Sequence, residues 1–335
     1  MNIAEQPNSP LFIHLPSFPS NDDQPVPIPR FLQDRPLASI NYRWNCFGHD
    51  SSKHSVDDVW PTPVHDTSFA YKWLVENLAP EGLKRRDIYV YGSHLGATLA
   101  TSLALTESQP HKPFAVRGLV SYNGIYNWTM FFPDHPVNRP GKYARNSKAY
   151  YRPLEGTYMH HLQQNLPTFF QSTSDLFDVF ASPCLFFHNP GVKIPSSYHM
   201  SEEESAAIEA LTNPNAEVDS PMKTPRRSRL VFPPRTSTLK IPETLLLYDL
   251  LPALNMPGKP GFRRQWGNSL EMQAKELAQM MQDSIEKIEL KERGLWDDEI
   301  ASWENEQNRR IKVRLAGEES STMEMGEKGE QLVED

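Results

Sequence analysis

The residues of this chain best suited to chemistry lie in a short segment between two glycines, Gly92 and Gly96. Ser93 and His94 stand between these glycines. Either could serve as a nucleophile: the Ser93 hydroxyl would need a base to activate it, whereas the His94 imidazole could attack directly. The residues before the pair, 88–91, are typical of a buried strand, and the residues after it are typical of an alanine- and leucine-rich helix. A strand that enters a helix through so short a turn forces the residue at the tip into strained backbone geometry.

His94 is the residue predicted to occupy the tip of this turn. The positions two before and two after the tip must be small, because the strand and the helix nearly touch there. Gly92 and Gly96 meet that requirement around His94, whereas a tip at Ser93 would put large side chains in the crowded positions.

This turn resembles the nucleophile elbow of the α/β-hydrolase superfamily, in particular the esterase and lipase branch related to hormone-sensitive lipase. The G-x-S-x-G of that family corresponds to Gly92-Ser93-His94-Leu95-Gly96, with histidine where the nucleophilic serine is expected. The resemblance implies an α/β fold with a mostly parallel, twisted sheet and helices on both faces. It also implies an aromatic-rich cap, and a sheet that is truncated at its N-terminal side because no segment before Leu11 supplies the first strands.

The resemblance also indicates where an oxyanion hole should lie. In this family an early strand ends in H-G-G-G, whose backbone N–H groups bind the oxyanion, and the corresponding run here is His14-Leu15-Pro16-Ser17-Phe18. Pro16 has no N–H to donate, so a strand end followed by a turn is the favoured interpretation. The candidate residues of the oxyanion region are His14, Ser17 and Leu95.

The two remaining positions of a catalytic triad also depart from the family pattern. The family places its acidic residue after a strand predicted here over 183–188, but the following loop, 189–193, has no carboxylate. The segment 239–248 is predicted as the last strand of the sheet, and no histidine occurs after His199. Loss of a triad serine or histidine alone costs about 10⁶ in kcat, so these departures predict loss of hydrolysis.

Three functional hypotheses follow. The leading one is a divergent family member that lacks the catalytic triad, a pseudo-hydrolase acting as a binding or scaffold module. The alternative is a carboxylesterase or lipase-type hydrolase of small apolar esters, with Ser93 in a shifted turn or His94 as the nucleophile, and His14 or His94 as the base. The third is a partner-binding protein regulated by phosphorylation of Ser220 and Thr224, each of which begins an S/T-P-x-K/R motif.

The resemblance implies one α/β-hydrolase-like domain, residues 10–316, and composition predicts a disordered N-terminus, 1–9, and a disordered acidic tail, 317–335. Within the domain, the interval 126–180 is predicted to form the cap, whose aromatic side chains either pack on the body or line an apolar pocket. The interval 200–238 is first acidic and then rich in proline and basic residues, which indicates a flexible linker.

Helical spacing predicts which faces of three helices are buried. In the first helix, the face expected against the sheet carries Phe69, Trp73, Leu74 and Leu78. In the second, a capping box at 268–271 precedes an apolar stripe of Leu270, Ala274, Leu277, Met281, Ile285 and Ile288. A further helix is expected over 296–311.

The net charge of −8 disfavours nucleic acid as a partner. No stretch approaches the roughly 20 apolar residues that span a bilayer, and no secretory signal is apparent.

The two cysteines, Cys46 and Cys184, are predicted to be buried free thiols in a cytoplasmic protein. No cofactor or metal is predicted, because His160 and His161 have no thiol or carboxylate at ligand spacing. The predicted partner is an apolar small molecule or another protein.

Overall fold

A computed structural model of the chain describes residues 9–20, 26–45, 58–139, 152–199, 204, 211, 226–252, 254–256, 259–262, 267–291, 305–320 and 323–334. The strands are β1 (Leu11–Leu15), β2 (Leu37–Ser39), β3 (Arg86–Ser93), β4 (Phe114–Tyr122), β5 (Glu243–Leu250), β6 (Leu254–Met256), β7 (Lys259–Phe262) and β8 (Ile311–Glu318). The α-helices are α1 (Thr62–Leu78), α2 (His94–Glu107), α3 (Tyr158–Gln164), α4 (Leu166–Phe169), α5 (Leu270–Ser284), α6 (Glu306–Arg310) and α7 (Glu327–Glu334). Short 3₁₀ helices cover Arg30–Leu32, Trp128–Phe131, Pro136–Asn138, Thr173–Phe177 and Pro183–Phe186, and a π-helix, Ile285–Leu290, continues α5.

A six-stranded sheet with the order β2-β1-β3-β4-β5-β8 forms the centre of the fold. Every neighbouring pair of its strands is parallel, so the carboxyl ends of the strands meet at one edge. Strands β6 and β7 form a separate antiparallel pair. The predicted parallel sheet of an α/β fold is confirmed. Its carboxyl edge is the place where ligands bind in open sheets of this kind.

Both faces of the sheet are covered, as the alternation of side chains along β3 shows. Ile88 and Val90 are buried in the core that includes residues of α1 and α2. Tyr91 points to the opposite face, where it packs in a cluster with Leu32 and with Leu332 of α7. Side chains along a strand alternate between faces, so a single strand supports both layers.

Helix α1 confirms half of its predicted buried face, because Leu74 is buried and Leu78 packs partly buried against the core. Its buried residues are Pro63, Thr67, Tyr71 and Leu74. Phe69 is 72% exposed and Trp73 is 58% exposed, so the prediction for these two side chains is wrong. Phe69 and Trp73 do share one face of the helix, but that face is exposed, whereas Tyr71 and Leu74 lie on the side that packs into the core.

Two strand predictions are also wrong. Pro183–Phe186 is a 3₁₀ helix rather than a strand, since an apolar run this short does not by itself distinguish the two. The strand predicted over 239–248 is β5, but it is not the last, because β8 follows it in the sheet. Ile311, predicted to end a helix, begins β8, whose exposed Lys312 and Arg314 suit an edge strand. Residues 296–304 of that predicted helix lie outside the described residues.

Helix α5 and the π-helix that continues it agree with the predicted stripe, since Leu270, Ala274, Leu277, Met281 and Ile285 are buried and Ile288 is partly buried. Its N-cap is Ser269, whose hydroxyl accepts a hydrogen bond of 3.2 Å from the Met272 backbone N–H.

The acidic segment from Gly317, predicted to be disordered, contains the end of β8 and the whole of α7. Leu332 and Val333 of α7 pack against the sheet. The structure differs from the prediction here because these apolar residues give the acidic segment a surface to bury.

The aromatic residues of the predicted cap interval that the structure describes are buried or partly buried. The most deeply buried of them, each at most 2% exposed, are Tyr126, Trp128, Phe131, Phe132, Phe169 and Phe170. The ring centroids of Trp128 and Phe170 lie 5.1 Å apart in an edge-on arrangement, which is favourable for aromatic pairs. Of the two uses considered for these side chains, packing against the body fits this arrangement.

Candidate functional site

The turn between β3 and α2 has the backbone geometry of an elbow, with His94 at its tip. His94 has a φ of 50°, in the left-handed region that is costly for a residue with a side chain. A Cβ atom at Gly92 would lie 2.5 Å from the carbonyl oxygen of Gly96, and one at Gly96 would overlap the carbonyl oxygens of Leu15 and Pro16. The two glycines are therefore needed because α2, β3 and the end of β1 touch at this point.

The His94 ring is enclosed by aromatic side chains. Its centroid lies 4.9 Å from that of Tyr158 and 5.5 Å from that of Tyr122, both edge-on, and 5.9 Å from that of Phe18. His94 is 2% exposed, and its Nδ1 has no hydrogen-bond partner among the described residues. Burial lowers the pKa of His94 to about 3, so the imidazole is neutral at physiological pH. A ring that is 2% exposed presents almost no surface to a substrate in solution.

The backbone N–H that follows the tip is already occupied. Leu95 N–H donates a hydrogen bond of 3.3 Å to the carbonyl oxygen of Ser17. In an esterase elbow, the corresponding N–H points at the substrate oxyanion. Pro16 supplies no N–H, and its carbonyl accepts a 2.8 Å bond from the Tyr42 hydroxyl. Ser17 and Leu95, both predicted for the oxyanion region, are thus brought together, but they bind each other.

Ser93 is also engaged by the loop after β1. Its Oγ lies 2.7 Å from Oγ of Ser17. His14 is directed elsewhere, because its Nδ1 lies 3.2 Å from Oγ of Ser39 and its ring stacks on Tyr91 at 5.6 Å. Burial lowers the pKa of His14 to about 4. Within the described residues, no histidine is hydrogen-bonded to the Ser93 hydroxyl.

Ser220, Thr224 and Cys46 lie outside the described residues. Cys184 is buried, and that burial raises the pKa of its thiol. Over the described ranges, no group of three or more His, Cys, Asp and Glu side chains is arranged to hold a metal ion. None of the helices placed by the structure is both long and apolar enough to cross a bilayer.

The corrected strand order changes which residue takes the acid position of the family pattern. β5 is the sheet's penultimate strand in chain order, and Asp249 lies near its carboxyl end. Its carboxylate accepts hydrogen bonds from the Tyr122 hydroxyl and, at 3.0 Å, from Nδ2 of Asn123. Burial raises the pKa of Asp249, although these two donors oppose the shift. Asp249 could not be predicted as the acid because β5 was expected to be the final strand of the sheet. The acidic residue near the end of the apolar run LLLYDL was a usable signal.

Glu319 follows the final strand directly, in the region where the family pattern calls for histidine. Its backbone N–H donates a 2.9 Å bond to the carbonyl oxygen of Leu250. Burial, with a further contribution from the nearby charge of Asp249, raises the pKa of Glu319 to about 7. The carboxyl edge of the sheet therefore holds two interacting acids beside the elbow, where a triad would need an acid and a base.

Comparison with known proteins gives a partial match to an esterase. No protein-family model matches the chain. The chain is 27% identical over 189 residues to Esterase LipQ of Mycobacterium tuberculosis, a match that covers 50% of this chain and 42% of the esterase. The chain thus spans less than half of the length of that relative.

Two solved structures are similar at low identity. Carboxyl esterase 2 from the mycorrhizal fungus Tuber melanosporum is 11% identical, with a TM-score of 0.43 over 97% of this chain and 74% of that one. A hormone-sensitive lipase from a metagenome library is 10% identical, with a TM-score of 0.42 over 98% of this chain and 75% of that one.

The parallel sheet and the elbow at His94 fit an α/β-hydrolase fold, and the partial sequence match is to a protein named as an esterase.

Proposed function

We propose that this protein is a catalytically inactive member of the α/β-hydrolase fold that acts as a binding module. The hydrogen bond from the Leu95 N–H to the Ser17 carbonyl is the observation that carries the proposal. An esterase keeps this donor available for the negative charge that develops on the substrate oxygen, and loss of one such donor costs about 10²–10³ in kcat. Here the chain itself satisfies the donor.

The surrounding groups support the same conclusion, because none of those that the structure describes is arranged to remove a proton from a serine. A serine hydroxyl is a weak nucleophile until an adjacent base activates it. Ser93 is bonded to another hydroxyl, that of Ser17, and Asp249 is bonded to Tyr122 and Asn123 rather than to an imidazole. The sequence offers no histidine after His199 to fill that place. Loss of the base alone costs about 10⁶ in kcat.

What remains of the fold is suited to binding. The carboxyl edge of the parallel sheet is intact, and a cleft opens there between the ends of β5 and β8 and the cap interval. An apolar small molecule or a protein partner, together with a cytoplasmic location, stays part of the proposal.

Two measurements on the full chain test the proposal. A fluorophosphonate probe, which labels activated serines, should give no more labelling of the native protein than of the heat-denatured protein. Hydrolysis of 4-nitrophenyl butyrate should stay within about tenfold of that by His94→Ala, since neither elbow side chain is activated.

The alternative, an active esterase, makes the opposite prediction. Labelling that is lost in Ser93→Ala but kept in Ser174→Ala, a control at an exposed serine outside the elbow, would overturn the proposal in favour of a serine nucleophile. Hydrolysis that disappears only in His94→Ala would overturn it in favour of an imidazole nucleophile.

A further inference from the structure

A short exposed segment, residues 226–230, is fastened to the body of the protein like a strap. This strap pairs in antiparallel fashion with the chain around Asn189. The Leu230 N–H donates a 2.7 Å hydrogen bond to the carbonyl oxygen of Phe187, and the Asn189 N–H donates a 3.0 Å bond to the carbonyl oxygen of Ser228. The backbone of the strap is therefore held from both sides of one short pairing.

Two arginines of the strap reach carboxylates on α5. Arg227 is paired with Glu276, and Arg229 lies 2.7 Å from Asp283. The two acids are seven residues apart, so they lie on the same side of the helix. The side chain of Arg227 is 40% exposed, whereas that of Glu276 is 9% exposed. Docking of the strap thus supplies counter-charges to two acids of α5 that have little access to water.

His188 is the third member of the contact between Arg227 and Glu276. Its Nδ1 lies 2.6 Å from the carbonyl oxygen of Asn189. A carbonyl oxygen only accepts, so Nδ1 carries the hydrogen and Nε2 of the neutral ring is an acceptor. That Nε2 lies 3.0 Å from Nη2 of Arg227 and 3.2 Å from Oε1 of Glu276. The neutral ring therefore accepts from the same guanidinium that pairs with the carboxylate.

A proton on Nε2 would reverse this arrangement. The imidazolium would donate to Glu276, and it would repel the guanidinium of Arg227, whose nearest nitrogen is 3.0 Å away. Only one of the two cations can then keep the carboxylate. His188 is 1% exposed and has no access to water for its charge, whereas the 40% exposed side chain of Arg227 can turn to solvent. Arg227 is therefore the partner that leaves.

The other ionisable groups around this contact keep their charge states. Burial opposes the ionisation of Glu276, but the hydrogen bond of His188 and the charges of Arg227 and His135 hold its pKa below the ordinary value. Burial lowers the pKa of His135 to about 4 and raises that of the Cys184 thiol, so both stay neutral above pH 5. Among the described groups that face the contact, His188 is thus the one suited to change its charge near neutral pH.

We propose that the strap is an acid-operated latch: it is docked through Arg227 while His188 is neutral, and it is released when the His188 imidazolium takes Glu276 in its place. The proton comes from solvent, and only hydrogen bonds are exchanged. Histidine is the side chain that ordinarily changes its charge between about pH 5 and 8, so mild acidification is the signal. This inference goes beyond the proposed function and does not depend on it, because no residue of the elbow takes part.

Amide hydrogen exchange of the full chain, followed by NMR, measures docking of the strap directly. The N–H groups of Leu230 and Asn189 are the reporters, because each closes a hydrogen bond between the strap and its partner segment. After correction for the intrinsic pH dependence of exchange, their protection is expected to fall about tenfold or more between pH 7.5 and pH 5. The N–H of Val90 in β3 should keep its protection, which distinguishes local release from unfolding.

Three variants assign the effect to its residue. His188→Asn keeps a donor for the Asn189 carbonyl but has no nitrogen that gains a proton, so protection should stay high at both pH values. His135→Asn is the matched control, since burial keeps that neighbouring histidine neutral, and it should keep the fall in protection. Arg227→Gln should lower protection about tenfold already at pH 7.5, with no further fall at pH 5.

A fall in protection that survives in His188→Asn, or constant protection in the native chain, would overturn the latch. If circular dichroism shows that His188→Asn does not fold, the ring nitrogens of the native chain are titrated by NMR instead. Protonation of His188 and loss of strap protection should then share one midpoint, and midpoints more than about one pH unit apart would also overturn the latch. Neither result bears on labelling of Ser93, so the latch and the proposed function can fail separately.

Discussion

Replacing His94 by serine is expected to rebuild the hydroxyl at the elbow tip without creating an esterase. The new hydroxyl would stand at the position that the fold uses for a nucleophile, on a backbone already held at a φ of 50°. Among the residues that the structure describes it would still lack a base, because Asp249 is engaged by Tyr122 and Asn123. The missing base alone accounts for a deficit of about 10⁶ in kcat.

The oxyanion donors add a second barrier to activity. The Leu95 N–H is bonded to Ser17, so a substrate carbonyl would have to displace an intact 3.3 Å hydrogen bond. Each missing donor is worth about 10²–10³ in kcat. These deficits do not simply add, but the larger one suffices to keep His94→Ser within about tenfold of His94→Ala.

The assay is hydrolysis of 4-nitrophenyl butyrate at pH 8, with intact-protein mass spectrometry to detect an acyl adduct. Truncating the ring is also expected to cost about 2–4 kcal/mol, because three aromatic neighbours lose their contact. His94→Asn, which tolerates a positive φ, is the folding control. A rate more than 10³-fold above His94→Ala, or an acyl group found on residue 94, would refute the reasoning.

Three further predictions concern stability, each measured by urea unfolding. Gly96→Ala is expected to cost more than about 3 kcal/mol, because its Cβ would overlap backbone oxygens of the loop after β1. Gly82→Ala, at a φ of 65° with nothing within 4 Å, should cost only about 1 kcal/mol, and equal costs would contradict the close approach. Folding raises the pKa of Glu319 from its ordinary 4.5 to about 7, so its contribution to stability falls as the pH rises through that window. Glu319→Gln should therefore be about 2 kcal/mol more stable than the native chain at pH 8, after allowance for partial exposure. At pH 4.5 it should be no more stable. A gain in stability that does not depend on pH would show that ionisation of Glu319 is not the cause. Tyr122→Phe should cost about 1.5–3 kcal/mol at pH 7 by removing a donor to the buried Asp249 carboxylate, and a loss below about 0.5 kcal/mol would show that this bond contributes little.

The elements that sequence predicts well here are those fixed by local sterics or by one clear period. The spacing of Gly92 and Gly96 determines the elbow, because only one tip residue leaves both crowded positions small. The stripe of α5 is regular enough that Leu277 and Met281, both fully buried, could be assigned to the core in advance.

The elements that sequence predicts poorly depend on tertiary context. The apolar run at Pro183–Phe186 suits a strand or a tight helix equally, and the structure makes it a 3₁₀ helix. Along β8, the exposed Lys312 and Arg314 alternate with less exposed residues. The charged residues make the segment look unlike a sheet strand in the sequence, although it completes the sheet. Without β8, nothing in the sequence indicates that Asp249 and Glu319 lie together.

The hydrogen bond between Ser17 and Leu95 was out of reach of sequence reasoning for a related reason. It depends on how closely the loop after β1 approaches α2, which is a consequence of packing at Gly96. The missing N–H of Pro16 could be noticed in the sequence, but the placement of the next residue's carbonyl could not.

That carbonyl makes the loop after β1 an internal ligand of the elbow. Ser17 presents a peptide oxygen to the Leu95 N–H, the same chemical group that an ester or amide compound would offer. An external compound must compete with this tethered group, whose effective concentration is in the millimolar range or above. Carbonyl-based esterase inhibitors should therefore bind poorly at the elbow of this protein, however well their shape suits the fold.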